Sequence, residues 1–244
     1  MARPLIYVFP DREALSRKAA GLFAGWAEKA IKEKGSFSVA LSGGSTPLRL
    51  YSLLAGEEYG ERVPWRRVHV FFGDERAVGP ESGQSNFKHA QDRLLSVVPA
   101  DVHRIEGERD PREAAERYEH VLREHLLEAG RLDLVLLGAG EDGHTASLFP
   151  ASRTLQEEER LVLPVYDVEL PRVTMTLPVI NGAARVLFLV AGRAKADIVY
   201  DILETEDLRR KYPAGLVEPR DGELVWLLDG EAAAKLRRTD TRTT

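Results

Sequence analysis

Residues 37–54 read FSVALSGGSTPLRLYSLL. Phe37 to Leu41 is a short β-rich run, mostly apolar, of the kind that suits a strand covered on both faces. Pro47 opens a helical stretch carrying Leu48, Leu50, Tyr51, Leu53 and Leu54. Between them, Ser42-Gly43-Gly44-Ser45-Thr46 is a glycine-bearing turn, so strand, turn and helix follow without a linker. That succession is the first half of a βαβ unit.

The same alternation extends outward in both directions. Further strands are predicted at Leu5 to Phe9, Val68 to Gly73, Leu132 to Leu137, Leu161 to Val165, Arg172 to Leu177, Val186 to Val190 and Leu224 to Leu228. Asp11 to Lys34 reads as an amphipathic helix capped by Asp11 and ended by Gly35, with Leu15, Ala19, Leu22, Phe23, Trp26, Ala30 and Ile31 on one stripe. Pro111 to Ala129 reads likewise, capped by Asp110 and ended by Gly130. Ala194 to Glu204 is a third helix. The expected class is α/β, a mainly parallel sheet in one domain over residues 1–234, with a polar, flexible tail at 235–244.

Composition narrows the function classes. With 43% apolar and 30% charged residues the chain is an ordinary globule, neither disordered nor membrane-spanning. A net charge of −5 disfavours nucleic-acid and anionic-membrane partners, which call for a clustered basic surface. There is no cysteine, which excludes disulfides, thiolate metal sites and a cysteine nucleophile. The apolar run at Leu5 to Phe9 is too short for a secretory signal, so a cytoplasmic location is expected.

In open α/β sheets ligands gather beyond the carboxyl ends of the strands, and four such ends here carry unusual residues. At Ser42 to Pro47 the glycines can turn backbone amides inward, two hydroxyls add donors and a helix N-terminus follows, an arrangement that fits a phosphate or, more simply, a capped turn. Gly73-Asp74-Glu75-Arg76 offers two carboxylates and a guanidinium, either a ligand contact or a solvated ion pair. Gln84-Ser85-Asn86 downstream is a helix cap or a further ligand contact.

Gly138-Ala139-Gly140-Glu141-Asp142-Gly143-His144 spells G-x-G-x-x-G, but Glu141 and Asp142 would face a pyrophosphate and Pro150 cuts any following helix short. The useful pair there is Asp142 and His144, an imidazole on a glycine-flexed strand end where it can exchange protons near neutral pH. His69, His89, His103, His120 and His125 have no comparable setting. No G-x-S-x-G elbow and no H-E-x-x-H spacing occurs, so a serine hydrolase and a zinc enzyme are both disfavoured. Arg172 and Lys195, at two further strand ends, are surface charges taken singly and would complete a phosphate cage taken together.

Taken in order, Ser42 to Pro47, Gly73 to Arg76, Ser85-Asn86, Gly138 to Pro150, Arg172 to Thr176 and Gly192 to Lys195 resemble the 6-phosphogluconolactonase family, over nearly the whole chain. The Asp-Gly-His-Thr-Ala-Ser-Leu-Phe-Pro run, 142–150, is similar to the lactonase pattern rather than to that of the related glucosamine-6-phosphate deaminases. The resemblance implies a Rossmann-like, doubly wound sheet with helices on both faces, and hydrolysis of 6-phospho-D-glucono-1,5-lactone in the pentose phosphate pathway. It implies that Gly43, Gly44, Ser45, Thr46, Arg172 and Lys195 hold the phosphate, that His144 exchanges protons and that Arg76 polarises the lactone. Asp74 and Asp142 join the catalytic set, orienting either His144 or sugar hydroxyls. No metal and no cofactor are expected, the partner is a phosphorylated sugar lactone, and the chain is expected to be a monomer. Two rivals share the anchor: an amino-sugar-phosphate deaminase or isomerase, and a sugar-phosphate sensor without catalysis.

Overall fold

The computed structural model describes residues 4–237 and the backbone of 242–243. Eight strands form one parallel sheet: β1 (Leu5–Phe9), β2 (Phe37–Leu41), β3 (Val68–Phe72), β5 (Asp101–Val102), β6 (Leu134–Leu137), β9 (Arg185–Val190), β10 (Glu223–Asp229) and β11 (Arg242–Thr243), in the spatial order β11-β1-β10-β9-β6-β2-β3-β5. The centre of this sheet is covered on both faces: every residue of β2 and β6 is buried, all of them apolar except Ser38, as strands between two helical layers require. The expectation of a flexible tail falls largely on residues outside those described.

The helices are α1 (Arg12–Lys34), α2 (Pro47–Leu54), α3 (Glu57–Gly60), α4 (Asn86–Ala90), α5 (Pro111–Ala129), α6 (Leu177–Gly182), α7 (Ala196–Glu204) and α8 (Glu206–Arg209). Their ends follow the sequence signals. Asp11 accepts the Ala14 amide at 2.8 Å and Gly35 closes α1 at φ +87°, while Asp110 accepts the amides of Arg112 and Glu113 at the start of α5. On α1 the buried stripe is Leu15, Ala19, Ala20, Phe23, Ala24, Ala27 and Ala30. Leu22, Trp26 and Ile31 are only half-buried at its margin, because the small alanines let the helix backbone approach the sheet. Among the described residues no helix is long and apolar enough to cross a membrane.

Two strand expectations resolve differently from a single sheet. β4 (Asp74–Arg76), β7 (Val162–Val165) and β8 (Arg172–Met175) form a separate antiparallel sheet ordered β4-β8-β7. The Asp-Glu-Arg segment is therefore a strand and not a loop, joined to β3 through Gly73, whose carbonyl accepts the Met175 amide at 2.8 Å. β8 stops at Met175 rather than Leu177 because Pro178 enters the first turn of α6, where its fixed φ and missing N–H are tolerated. This small sheet stands at the carboxyl end of the large one and forms a wall above β2 and β6.

Candidate active site

The chain leaves β2 upward, turns at Ser42 to Thr46 and enters α2; β6 ends in Gly138 to Gly143, and β9 in the turn before α7. These three exits, with the small sheet as the fourth side, enclose a cavity of about 270 Å³. Gly43, Gly44, Ser45, Thr46, Asp74, Arg76, His144, Arg172 and Lys195 all line it. Asp142, the remaining residue singled out from the sequence, does not; it sits behind His144.

The β2 exit is shaped to leave its amides unclaimed. Gly44 adopts φ +88°, a conformation glycine takes at no steric cost. A side chain at Gly43 would collide with Asn86, whose Oδ1 would lie 1.9 Å from the new Cβ. Thr46 makes no capping hydrogen bond to its helix and lines the cavity. Tyr51 returns from α2 to bridge the Ser42 amide and carbonyl at 3.1 and 2.7 Å, fixing the root of the turn.

On the small sheet the side chains of consecutive residues diverge. Asp74, nearly fully buried, turns to the cavity: its Oδ2 accepts from Ser147 Oγ at 2.6 Å and its Oδ1 from Asn86 Nδ2 at 3.0 Å. Glu75 turns away and accepts the amides of Arg76, Asn86 and Phe87 and the Ser85 hydroxyl, at 2.7–2.9 Å. Burial pushes the Glu75 pKa up even against those donors, so this carboxylate is a structural hub for the Ser85-Asn86 turn. Ser85 also caps α4 through the Lys88 amide at 3.1 Å.

The register of β4 and β8 sets Arg76 directly opposite Arg172. Like charges in that relation repel, and the Arg172 pKa is lowered first by burial and further by Arg76, against the pull of Asp74. Arg76 Nη1 is tied to the Gln84 carbonyl and to Asn86 Oδ1 at 2.8 and 2.7 Å. Arg172 lies 4.0 Å from Asp74 Oδ2 and its guanidinium covers the Phe149 ring at 5.6 Å. The Nε groups of both arginines and the Ser42 hydroxyl are buried and have no hydrogen-bond partner among the described residues. Paired cations and idle donors converging on one cavity are the chemistry of an anion receptor.

Lys195 completes that receptor from the β9 side. It ends a single tight turn, Arg193–Lys195, directly before α7, so its ammonium adds to the positive end of a helix. Gly192 holds φ +98° and gives its amide to both carboxylate oxygens of the buried Asp229 at 3.0 Å. Asp229, at the end of β10, thereby fixes where the turn begins.

The candidate for proton exchange, His144, lines the same cavity. His144 Nδ1 is 2.6 Å from Asp142 Oδ1, which also accepts the His144 amide at 3.1 Å. Burial raises the Asp142 pKa, yet the His144 amide and ring together outweigh it and hold the carboxyl below the usual range. An ionised carboxylate only accepts, so Nδ1 carries the proton in this contact, and in the neutral ring the lone pair belongs to Nε2. Gly140 permits the contact: a Cβ there would lie 2.1 Å from Nδ1. No α-helix follows this loop directly, only a short 3-10 turn at Arg153–Gln156, in keeping with its failure to match a dinucleotide site. Phe149, 4.8 Å from the His144 ring, separates it from Arg172.

Sequence reasoning left Ser147 and Phe149 without assigned roles and left Asn86 open between a helix cap and a ligand contact. Asn86 and Ser147 are polar residues beside glycine turns, signals that point to ligands and caps alike; only the antiparallel pairing of β4 and β8 decides that both serve Asp74.

The family described as Glucosamine-6-phosphate isomerases/6-phosphogluconolactonase matches residues 10–226. The chain belongs to this family. It is 39% identical to the 6-phosphogluconolactonase of a Nostoc species over 239 residues, covering 95% of this chain and 98% of that one. A Synechocystis 6-phosphogluconolactonase is also 39% identical, over 242 residues, with 96% and 99% covered. Among solved structures, 6-phosphogluconolactonase from Trypanosoma brucei superimposes with a TM-score of 0.83 at 29% identity, over 97% of this chain and 100% of the other. The α/β class and parallel sheet expected from the sequence agree with these relatives.

Proposed function

We propose that this member of the family hydrolyses 6-phospho-D-glucono-1,5-lactone to 6-phosphogluconate, the reaction that the names of its relatives describe. The observation that carries the reading is the pairing, across one cavity, of a carboxylate-oriented imidazole with an anion receptor built from two arginines, a lysine and a glycine turn.

Each part has one task. The amides of Gly43 to Thr46, with Arg172 and Lys195, hold the phosphate and so convert binding into orientation of the distant lactone carbon. His144 Nε2 takes a proton from water as it attacks that carbon, then returns a proton to the departing ring oxygen. Asp142 keeps the imidazole in the required tautomer and stabilises its charged form. Arg76 meets the charge that develops on the lactone oxygen, where one aimed donor is worth about 3 kcal/mol. Asp74 orients sugar hydroxyls through a carboxylate whose two oxygens are already engaged by Ser147 and Asn86, an occupation that disfavours the carbon-acid step a deaminase needs.

The test uses freshly generated 6-phosphogluconolactone. Acid release well above the spontaneous rate is expected, with no ammonia from glucosamine 6-phosphate. Ammonia at a comparable rate, or no acceleration of lactone opening, would refute the assignment.

A further inference from the structure

Away from the cavity, at the edge of the large sheet, three imidazoles and a carboxylate are gathered. β3 and β5 pair in parallel with His69 directly beside Asp101. His103, two residues on, points to the same face, and its amide continues the ladder to the Val70 carbonyl at 2.8 Å. His69 Nδ1 and His103 Nε2 lie 3.1 and 3.3 Å from one and the same oxygen, Asp101 Oδ2. The rings of His69 and His103 are stacked, 5.9 Å apart, and His125 from α5 lies against His69 at 5.1 Å.

Asp101 Oδ2 accepts a hydrogen bond from His69 Nδ1 at 3.1 Å, but hydrogen bonding does not account for the approach of His103. At 3.3 Å from the carboxylate, His103 Nε2 is close enough for an ion pair but is not aligned for a hydrogen bond, and it is buried without a partner among the described residues. His125 Nε2 is buried without a partner as well. The idle His103 nitrogen, held 3.3 Å from a carboxylate oxygen, calls for an occupant between them.

We propose that His69, Asp101 and His103 bind one divalent first-row transition ion, with zinc the expected occupant. The three donor atoms all lie within 4.8 Å of one another. Around a tetrahedral ion with ligands at about 2.0–2.1 Å, neighbouring donors stand about 3.3 Å apart, which matches both distances to Asp101 Oδ2. A small rotation of the half-exposed rings closes the third edge. Two imidazoles and one carboxylate favour zinc, nickel or copper over magnesium or calcium, which prefer all-oxygen sites. Three protein ligands leave at least one position for water.

The ion would clamp the two-residue edge strand β5 to β3 and seat it under α5. It lies well away from the cavity: His69 precedes Asp74 by five residues along an extended path, roughly 16 Å at strand rise. Its role is accordingly structural, and lactone hydrolysis does not depend on it.

The experiment takes the full chain, dialysed against a chelator, and titrates it with zinc chloride by calorimetry, following Tm in parallel. One zinc per chain is expected, with micromolar or tighter affinity and a Tm rise of several degrees. Asp101→Asn should abolish this binding and His103→Gln weaken it at least about tenfold, with the lactonase rate unchanged by zinc removal or by either substitution. Asp101 is exposed, so its amide variant should match the dialysed parent in Tm. Cobalt(II) added to the unsubstituted chain gives a reading free of mutation, through visible bands of a tetrahedral imidazole-bound ion. No saturable binding, stoichiometric binding that survives both substitutions, or octahedral cobalt bands would each overturn the site.

Discussion

Two imidazole–carboxylate groups occupy opposite ends of β3 and its neighbours, and their difference lies in how the nitrogens are spent. In the cavity Asp142 engages one nitrogen of one ring, leaving the other free for a substrate. At the sheet edge two rings converge on a single oxygen of Asp101. The first arrangement can move a proton; the second gathers lone pairs at a point. Residue types alone do not separate the two. Backbone path does, since His144 rides a glycine-flexed loop beyond a strand end, while His69 and His103 are locked into paired strands.

The largest expected effect is at His144. His144→Ala should lower kcat by about two to four decades while leaving the affinity for 6-phosphogluconate nearly intact, whereas His103→Gln should leave the steady-state rate unchanged. A full rate in the alanine variant would erase the distinction. Arg172→Ala or Lys195→Ala should raise KM for the phosphorylated lactone by about one to two decades and barely alter kinetics with unphosphorylated gluconolactone; equal effects on both would remove the phosphate from the receptor. Gly140→Ala, whose Cβ would press on His144 Nδ1, should reduce kcat about tenfold or more with little change in KM.

The smallest effect concerns acid. The Asp142 carboxyl is held below its usual range by His144, so its contribution to stability is present above about pH 4 and fades as pH falls through the lowered value. Half-exposure screens that contribution to at most about 1 kcal/mol. Asp142→Asn should accordingly lower Tm slightly at pH 7, and the gap to the parent should close toward pH 2. A gap that widens in acid would mean the carboxyl is not held down.

How far the sequence leads depends on range. Helix ends were legible because a cap, a proline or a glycine acts within a few residues, as Asp11, Pro111 and Gly35 do. The longer strands of the large sheet were legible because they are mostly apolar, while the two-residue strands β5 and β11 carry too little pattern to be read. The partition into two sheets was not, since nothing in Val162 to Val165 or Arg172 to Met175 states which edge it will meet. Every cavity-lining residue named from the sequence sits at a strand end, where topology converges. The roles of Glu75 and Asn86 stayed open because they rest on hydrogen bonds about ten residues apart across a turn. His69, Asp101 and His103 escaped because a ligand set shared between adjacent strands leaves no regular spacing along the chain.

The idle donors of Ser42, Arg76 and Arg172 imply a thermodynamic tension between durability and work. Each is buried without an acceptor among the described residues, a local frustration whose cost the remainder of the core must offset. An anion that accepts from these groups relieves the frustration as it binds, which makes product and substrate act as folding ligands. The chain is then most resistant to heat, and to proteases that cut its opened states, when lactone is flowing through it.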